Sequence, residues 1–479
     1  MAPQSFEHPN ILIIVADALR ADHLSCYGYS RETTPNLDRF AEANTMYSHA
    51  FTPATWTRSV AASILTGTYP SVHGVKTMNH TFSDKLPTIQ KQLNEVGYFT
   101  NAVSAIGNFS SELGFGAGFD RFIDLYKDTG LPDERAKSSA EDEMLSHESG
   151  SVIFPRASDV FDRFIDIVAD SDQDGPFFSL LWTIDPHDPY SPPKEHQPFV
   201  DSSYSGEMDG SRESLRRATN EEDFQRLINL YDSELSYLDK QIKKLMDRLR
   251  QIDEYENTVI VFLGDHGEAF GDHDGNVGHS NLHYEELIRV PLLTRFPDGT
   301  EWDGGGRLAS LIDIAPTVMR YIDEPYEHSL PESVSGQSLL DGGRNRVFGE
   351  THYSDAQNSY VSVRERRWKF IRVDSPNRSI QPYLELLSNT NFLRQFLRHP
   401  VYFLQRRFGT TSEHLYDLKR DSNEKTNRRD NEDVRTRLEN ELKQWELQIE
   451  KASLGRTAGS NNELDESTRK QLEEMGYID

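Results

Sequence analysis

Asn10-Ile-Leu-Ile-Ile-Val-Ala-Asp17-Ala-Leu-Arg20 is the stretch whose reading decides the fold. Six consecutive apolar residues, rich in β-branched Ile and Val, predict a strand buried on both faces. The run stops in a carboxylate. In an open α/β sheet, ligands sit outside the carboxyl ends of the strands, so Asp17 falls where such folds keep their chemistry. Taken alone, Asp17 serves equally well as a cap for the next helix. A second run, Asn257-Thr-Val-Ile-Val-Phe-Leu-Gly-Asp265, has the same form, an apolar strand ending in a carboxylate.

Around these two runs the chain alternates strand and helix. A helix is expected from Thr57, ending at Thr66-Gly67, which puts the Thr57 hydroxyl at a helix N-terminus favourable to anions. Further helices are predicted near Leu86–Val96, Val160–Val168, Glu221–Ile252 and Leu308–Arg320, and strands at Tyr98–Val103 and Phe177–Trp182. Polar stretches at 124–155 and 194–219 read as loops or excursions. With 479 residues, one large α/β domain over 8–345 and a smaller C-terminal α+β subdomain over 346–479 are expected.

Composition narrows the function classes. Asp and Glu exceed Lys and Arg by 78 − 51 = 27, which argues against nucleic acid as the partner, because phosphate backbones would be repelled. The same excess suits a halophilic protein. Cys26 is the single cysteine, so no internal disulfide forms. The opening residues lack a basic start and a long apolar run, and no stretch nears the roughly 18 apolar residues of a spanning helix. A cytoplasmic protein is the expectation. The exception to the acidity is 386–412, where Arg394, Arg398, Arg406 and Arg407 alternate with Phe392, Phe396, Tyr402, Phe403 and Phe408. This insertion suits an anionic lipid-linked or polymeric substrate or peripheral membrane contact, or else a helical hairpin packed on the main domain or a dimer contact.

The chemistry-bearing residues cluster after strands. Gly264-Asp265-His266-Gly267-Glu268 offers a mixed oxygen and nitrogen site for Mn²⁺, Zn²⁺, Mg²⁺ or Ca²⁺. His273, His279 and His283 follow, with Asp272 and Asp274 on either side of His273. Asp185-Pro-His187 follows another strand, as a second cluster or as a solvated turn. Strands ending in Asp or His, with a hydroxyl on a facing helix, make the layout for metal-assisted attack on a tetrahedral ester.

The ordered motifs make a resemblance specific. Asp17 with its strand, Cys26-Tyr-Gly-Tyr29, Thr34-Pro-Asn-Leu-Asp38, Leu65-Thr-Gly-Thr-Tyr-Pro-Ser-Val-His-Gly74, Asp185-Pro-His187, Asp265-His-Gly-Glu268, Tyr284-Glu-Glu-Leu-Ile-Arg-Val-Pro291, Asp313-Ile-Ala-Pro-Thr317 and Leu415-Tyr-Asp-Leu418 resemble, in order, the sulfatase branch of the alkaline phosphatase superfamily. The resemblance implies an α/β sandwich around a mixed, mostly parallel sheet. It implies one divalent metal ion held by Asp17, Asp265 and His266 together with Thr57 at the nucleophile position. It also implies His187 and His279 as catalytic contacts to the ester, and it brings Arg58 and His73 in as candidate substrate-binding residues.

Two departures refine it. Standard sulfatases of the family carry a Cys or Ser in C/S-x-P-x-R, oxidised to formylglycine, whereas here the five residues read Thr57-Arg-Ser-Val-Ala61. A threonine cannot become formylglycine, so direct attack by a metal-bound Thr57 on a sulfate ester or phosphate (di)ester is expected. Ala18 stands where many relatives place another carboxylate, which favours Mn²⁺ or Zn²⁺ over Ca²⁺. The alternatives are a phosphoglycerol- or phosphoethanolamine-type transferase, or a non-catalytic binder of an anionic glycan or lipid.

Overall fold

The computed structural model describes residues 8–128, 154–169, 175–273, 275–279, 282–301, 307–326, 335–352, 358–374, 412–453, 459–460 and 464–475. Most of the 124–155 excursion, Asp274 and all but the last residue of the 386–412 insertion lie outside the described residues.

The opening strand, Asn10–Ala16, sits at the centre of the main sheet. Among the described residues the sheet has seven strands, in the order Thr45–Met46, Leu292–Arg295, Thr258–Gly264, Asn10–Ala16, Phe177–Thr183, Phe99–Ser104 and Arg121–Asp124. Asn10–Ala16 is parallel to both neighbours, with Ala16 opposite Thr183 on one side and Gly264 on the other. Leu292–Arg295 runs antiparallel to Thr258–Gly264, so the sheet is mixed and mostly parallel, as expected. Every residue of the three central strands is buried, as a sheet covered on both faces requires.

Two groups of helices pack with the sheet. One joins Pro35–Ala43, Ala157–Ala169 and the long Glu221–Gln251. That long helix starts where its sequence directs: the Asn220 side chain accepts from Asp223 N at 3.0 Å, three acids fill the first turn, and Arg248 and Arg250 close the last. The other group centres on Thr57–Thr66, packed against Pro70–His73, Ile89–Glu95 and Ile314–Tyr321.

One helix expectation needs correction. Leu308–Arg320 does not form a single helix. It begins as a short strand, Ala309–Ser310, turns through Leu311–Asp313, and becomes helical only at Ile314. Ala309 and Ser310 pair with Ala50 and Phe51, and Asp313 Oδ2 accepts from Ser310 N at 2.9 Å, which fixes the turn. Pro316 has no N–H to give and is tolerated in a first helical turn but not in an interior one.

The C-terminal part carries its own antiparallel sheet of Arg346–Thr351, Ser359–Glu365, Trp368–Asp374 and Ser412–Asp417. The Glu432–Ser453 helix covers it with Leu438, Leu442, Trp445 and Ile449. No helix among the described residues is long and apolar enough to cross a membrane.

Candidate active site

The register that aligns Ala16 with Thr183 and Gly264 brings the residues that follow these strands to one edge of the sheet. Asp17, Asp185, His187, Asp265 and His266 all emerge there and all are fully buried. Thr57 reaches the same place as the first residue of its helix, behind an extended Trp56. Its Oγ1 lies 3.2 Å from His266 Nε2 and 3.5 Å from Asp17 Oδ1. Asp265 is oriented by its own turn, Oδ1 accepting from Ala18 N at 3.0 Å and from His266 N at 2.8 Å. Trp182 Nε1 donates to Asp17 Oδ2 at 3.3 Å. Ala18 adopts φ of 56°, a left-handed conformation that costs a non-glycine residue about 1–2 kcal/mol.

The residues present fit a cation. One ligand atom each from Asp17, Asp265 and His266 lies within 4.8 Å of the others. Asp265 Oδ2 accepts no hydrogen bond although fully buried. Burial, and then the facing Asp265 charge, pushes the Asp17 carboxyl well above its ordinary range. Asp265 is also raised by burial, and burial holds the His266 ring neutral. Two desolvated carboxylates beside a neutral imidazole are unfavourable by themselves and favourable around a divalent ion.

A second layer backs this edge. The rings of His187 and His279 lie 4.8 Å apart, and His279 is 4.8 Å from His266. Burial lowers both, His279 to about 4. Glu268 is fully buried between Tyr190, whose OH donates at 3.0 Å, and His279 Nδ1 at 3.5 Å. Burial, and then Asp188, raises Glu268 from its ordinary 4.5 to about 8. The folded protein holds this proton more tightly than the unfolded chain, so the contribution is complete below about pH 4.5 and is lost as pH rises through about 8. Metal-free protein is therefore expected to melt at progressively lower temperature across that window, and Glu268→Gln flattens the trend. Melting curves recorded in chelator at several pH values check this.

Asp185 belongs to a buried triad, not to a solvated turn. Arg156 Nη1 lies 3.2 Å from both Asp185 Oδ1 and Glu234 Oε2, and Ala157 N donates to Asp185 Oδ2 at 2.7 Å. Arg156→Met strands two buried carboxylates and is expected to cost roughly 3–5 kcal/mol, read by urea unfolding.

Other expectations are redistributed. Arg58 does not share the direction of Thr57, because one residue along a helix turns the side chain by about 100°. Its guanidinium donates to Met78 O at 2.6 Å, His80 O at 3.1 Å and Asn108 Oδ1 at 3.1 and 3.3 Å, two backbone carbonyls and one side-chain amide. His73 is likewise spent locally, with Nε2 3.0 Å from Ser63 Oγ and Nδ1 accepting from Val75 N at 3.1 Å. The histidine-rich segment divides. His266 and His279 stay at the site, while His273 bonds Glu286 at 2.6 Å and His283 bonds Thr351 and Ser362 at 2.9 and 2.8 Å. Asp272 pairs with Arg20 at 2.9 Å.

Sequence reasoning missed Trp182, Tyr190, Glu268 and the Asp188–Arg212 pair. Burial raises Asp188, but Arg212, 2.7 Å away, and then His187 bring it down to about 2. Glu268 closes the Asp265-His-Gly-Glu268 run beside two ligand candidates, whereas Trp182 was visible only as the end of an expected strand. Arg212 comes from the 194–219 excursion, where nothing in the sequence marks it.

An α/β sheet edge that gathers two carboxylates, imidazoles and a helix-terminal hydroxyl is an arrangement suited to metal-assisted ester hydrolysis. The Sulfatase family profile matches residues 9–324. The chain is 23% identical over 448 residues to an arylsulfatase of Clostridium perfringens (strain 13 / Type A), covering 82% of this chain and 91% of that one. Its fold is similar to that of BT4656, solved with its substrate D-glucosamine-2-N,6-O-disulfate, with a TM-score of 0.68, 19% identity and 93% and 98% of the two chains covered. It is also similar to the phosphonate monoester hydrolase of Agrobacterium radiobacter, with a TM-score of 0.65, 17% identity and coverage of 92% and 96%. The chain belongs to the sulfatase family, the sulfuric ester hydrolases of the alkaline phosphatase superfamily. Members of this family use a divalent metal ion, and Asp17, Asp265 and His266 form a group that could hold one here.

Proposed function

We propose that this chain hydrolyses sulfate esters or phosphate esters by direct attack of the Thr57 hydroxyl, assisted by one divalent cation. The observation that carries the reading is Thr57 Oγ1 at 3.2 Å from His266 Nε2 and 3.5 Å from Asp17 Oδ1. Asp17, Asp265 and His266 would hold the cation, with Mn²⁺ or Zn²⁺ suiting the mixed donors. When bound, it supplies Lewis acidity, favouring loss of the Thr57 proton to solvent and neutralising ester oxygens.

The chain's own residues do the rest. Thr57 Oγ forms a bond to sulfur or phosphorus, and the bond from that atom to the alcohol oxygen breaks. The departing oxygen keeps the electron pair and takes a proton from His279, with His187 beside it. Burial keeps both rings neutral in the free site, and an anionic ester alongside favours their protonated form. Water then attacks the Thr57 ester, returns a proton to His279 and releases sulfate or phosphate. Sulfated sugars fit as substrates, given the disulfated glucosamine bound by one structural neighbour.

Transfer to an alcohol instead of water is the second reading, supported by Thr57 and Ala61 in place of the formylglycine motif. The test is a panel of aryl sulfates, phosphodiesters and phosphonates, with Mn²⁺, Zn²⁺, Mg²⁺ and Ca²⁺ supplied singly at low and high salt. Turnover of at least one ester class at about one bound ion per chain is expected. Binding of an anionic saccharide without turnover of any ester would overturn the reading.

A further inference from the structure

Glu268 ends the Asp265-His266-Gly267-Glu268 run but stands outside the cation-holding group. Its place is built from several sides. Gly267 N donates to Leu287 O at 2.9 Å, and Arg20 Nη1 donates to Glu268 O at 2.9 Å. A Cβ on Gly267 would stand 1.8 Å from Glu286 O, so this backbone admits little movement. The side chain is fully buried, and Oε2 accepts from Tyr190 OH at 3.0 Å. Tyr190 is itself fully buried, and its backbone is held by Gly210 through Tyr190 N to Gly210 O at 2.9 Å.

The other oxygen has no such support. Glu268 Oε1 accepts no hydrogen bond and lies 3.5 Å from His279 Nδ1. A buried acceptor left without a donor is costly, about 1–3 kcal/mol or more for a charged group. The carboxyl group is thus fixed by Tyr190 at Oε2 and aimed at the His279 imidazole through Oε1. The separation exceeds a hydrogen bond, but catalytic contacts are commonly long before ligand binds and tighten in the complex.

We infer that Glu268 is a positioning residue for His279: its Oε1 accepts a hydrogen bond from the Nδ1–H of the ring, which fixes the ring's orientation and leaves Nε2 to serve the departing oxygen. The inference rests on the proposed role of His279 as proton donor. As the bond from sulfur or phosphorus to the leaving oxygen breaks, that oxygen keeps the electron pair and takes the Nε2 proton. The Nδ1 proton stays between the ring and Glu268. The arrangement parallels other catalytic bases that are oriented by a third group.

The experiment compares 4-nitrophenyl and phenyl sulfates, or the matching phosphonates where these are the better substrates, with manganese-loaded enzyme. A poor leaving group needs its proton and a good one does not. Glu268→Met is expected to lower kcat on the phenyl ester by about 100-fold and on the 4-nitrophenyl ester by less than about 5-fold, with KM changed little. Glu268→Gln, which keeps an acceptor oxygen, restores most of the loss. Tyr190→Phe, a milder change that keeps the packing, gives a smaller loss with the same leaving-group dependence. His279→Ala shows the dependence in full. Equal losses on both esters in Glu268→Met and Tyr190→Phe, with the dependence intact in His279→Ala, would overturn the role of Glu268. Absence of the dependence in His279→Ala itself would overturn the reading of His279 and this inference with it.

Discussion

Thr57→Val is expected to lower kcat by at least about 10⁴-fold while the protein stays folded and binds its metal. Valine shares threonine's branching at Cβ, so at the fully buried position 57 the change removes the hydroxyl and keeps the side-chain shape. The Thr57 side chain does not cap its own helix, so removing the hydroxyl leaves the helix start intact. Asp17, Asp265 and His266 remain to hold the ion. Thr57→Ser keeps the attacking oxygen and is expected to stay within about tenfold of the parent. Steady-state kinetics and metal content on the same preparations check both. If the valine variant kept more than about a hundredth of the activity, attack by water would replace attack by threonine.

Asp17→Asn is expected to act in opposite directions with and without metal. Without metal, Asp17 and Asp265 are two buried carboxylates that repel each other, and Asn removes one of the charges. The metal-free variant should therefore melt higher than the metal-free parent, since an uncompensated buried charge is more costly than a buried amide. An amide oxygen can still accept from Trp182 Nε1, which donates to Asp17 at 3.3 Å. With metal at a hundredfold excess over its Kd, the parent gains about 2.7 kcal/mol and the variant gains little. Turnover falls by about 10³-fold or more. Paired melting curves with manganese and with chelator separate the two effects, and a metal-free variant less stable than the metal-free parent would contradict the site as described.

The fold was legible because its signals were local and repeated. The apolar runs at 11–16 and 258–263 are buried strands, and each ends in a carboxylate because parallel strands deliver their chemistry to one edge. Thr57 was legible through the Thr66-Gly67 helix stop, where Gly67 adopts the left-handed conformation. The contacts that spacing did not show share a physical origin. Arg58 and His73 lie near Thr57 in sequence, but helix geometry turns Arg58 toward Met78 and His80, and Ser63 and Val75 occupy the two ring nitrogens of His73. His273 and His283 were grouped with His266 by spacing, yet they tie this segment to Glu286, Thr351 and Ser362. Arg156, Arg212 and Glu234 reach the site from distant segments, and a single sequence carries no record of such long-range pairing.

The most direct test is to quench manganese-loaded protein during turnover of a slow aryl ester and map its peptides by mass. The account predicts one sulfo or phospho group on the peptide containing Thr57, and none in Thr57→Val. An unmodified Thr57 peptide during continuing turnover, or a modified residue elsewhere, would contradict it.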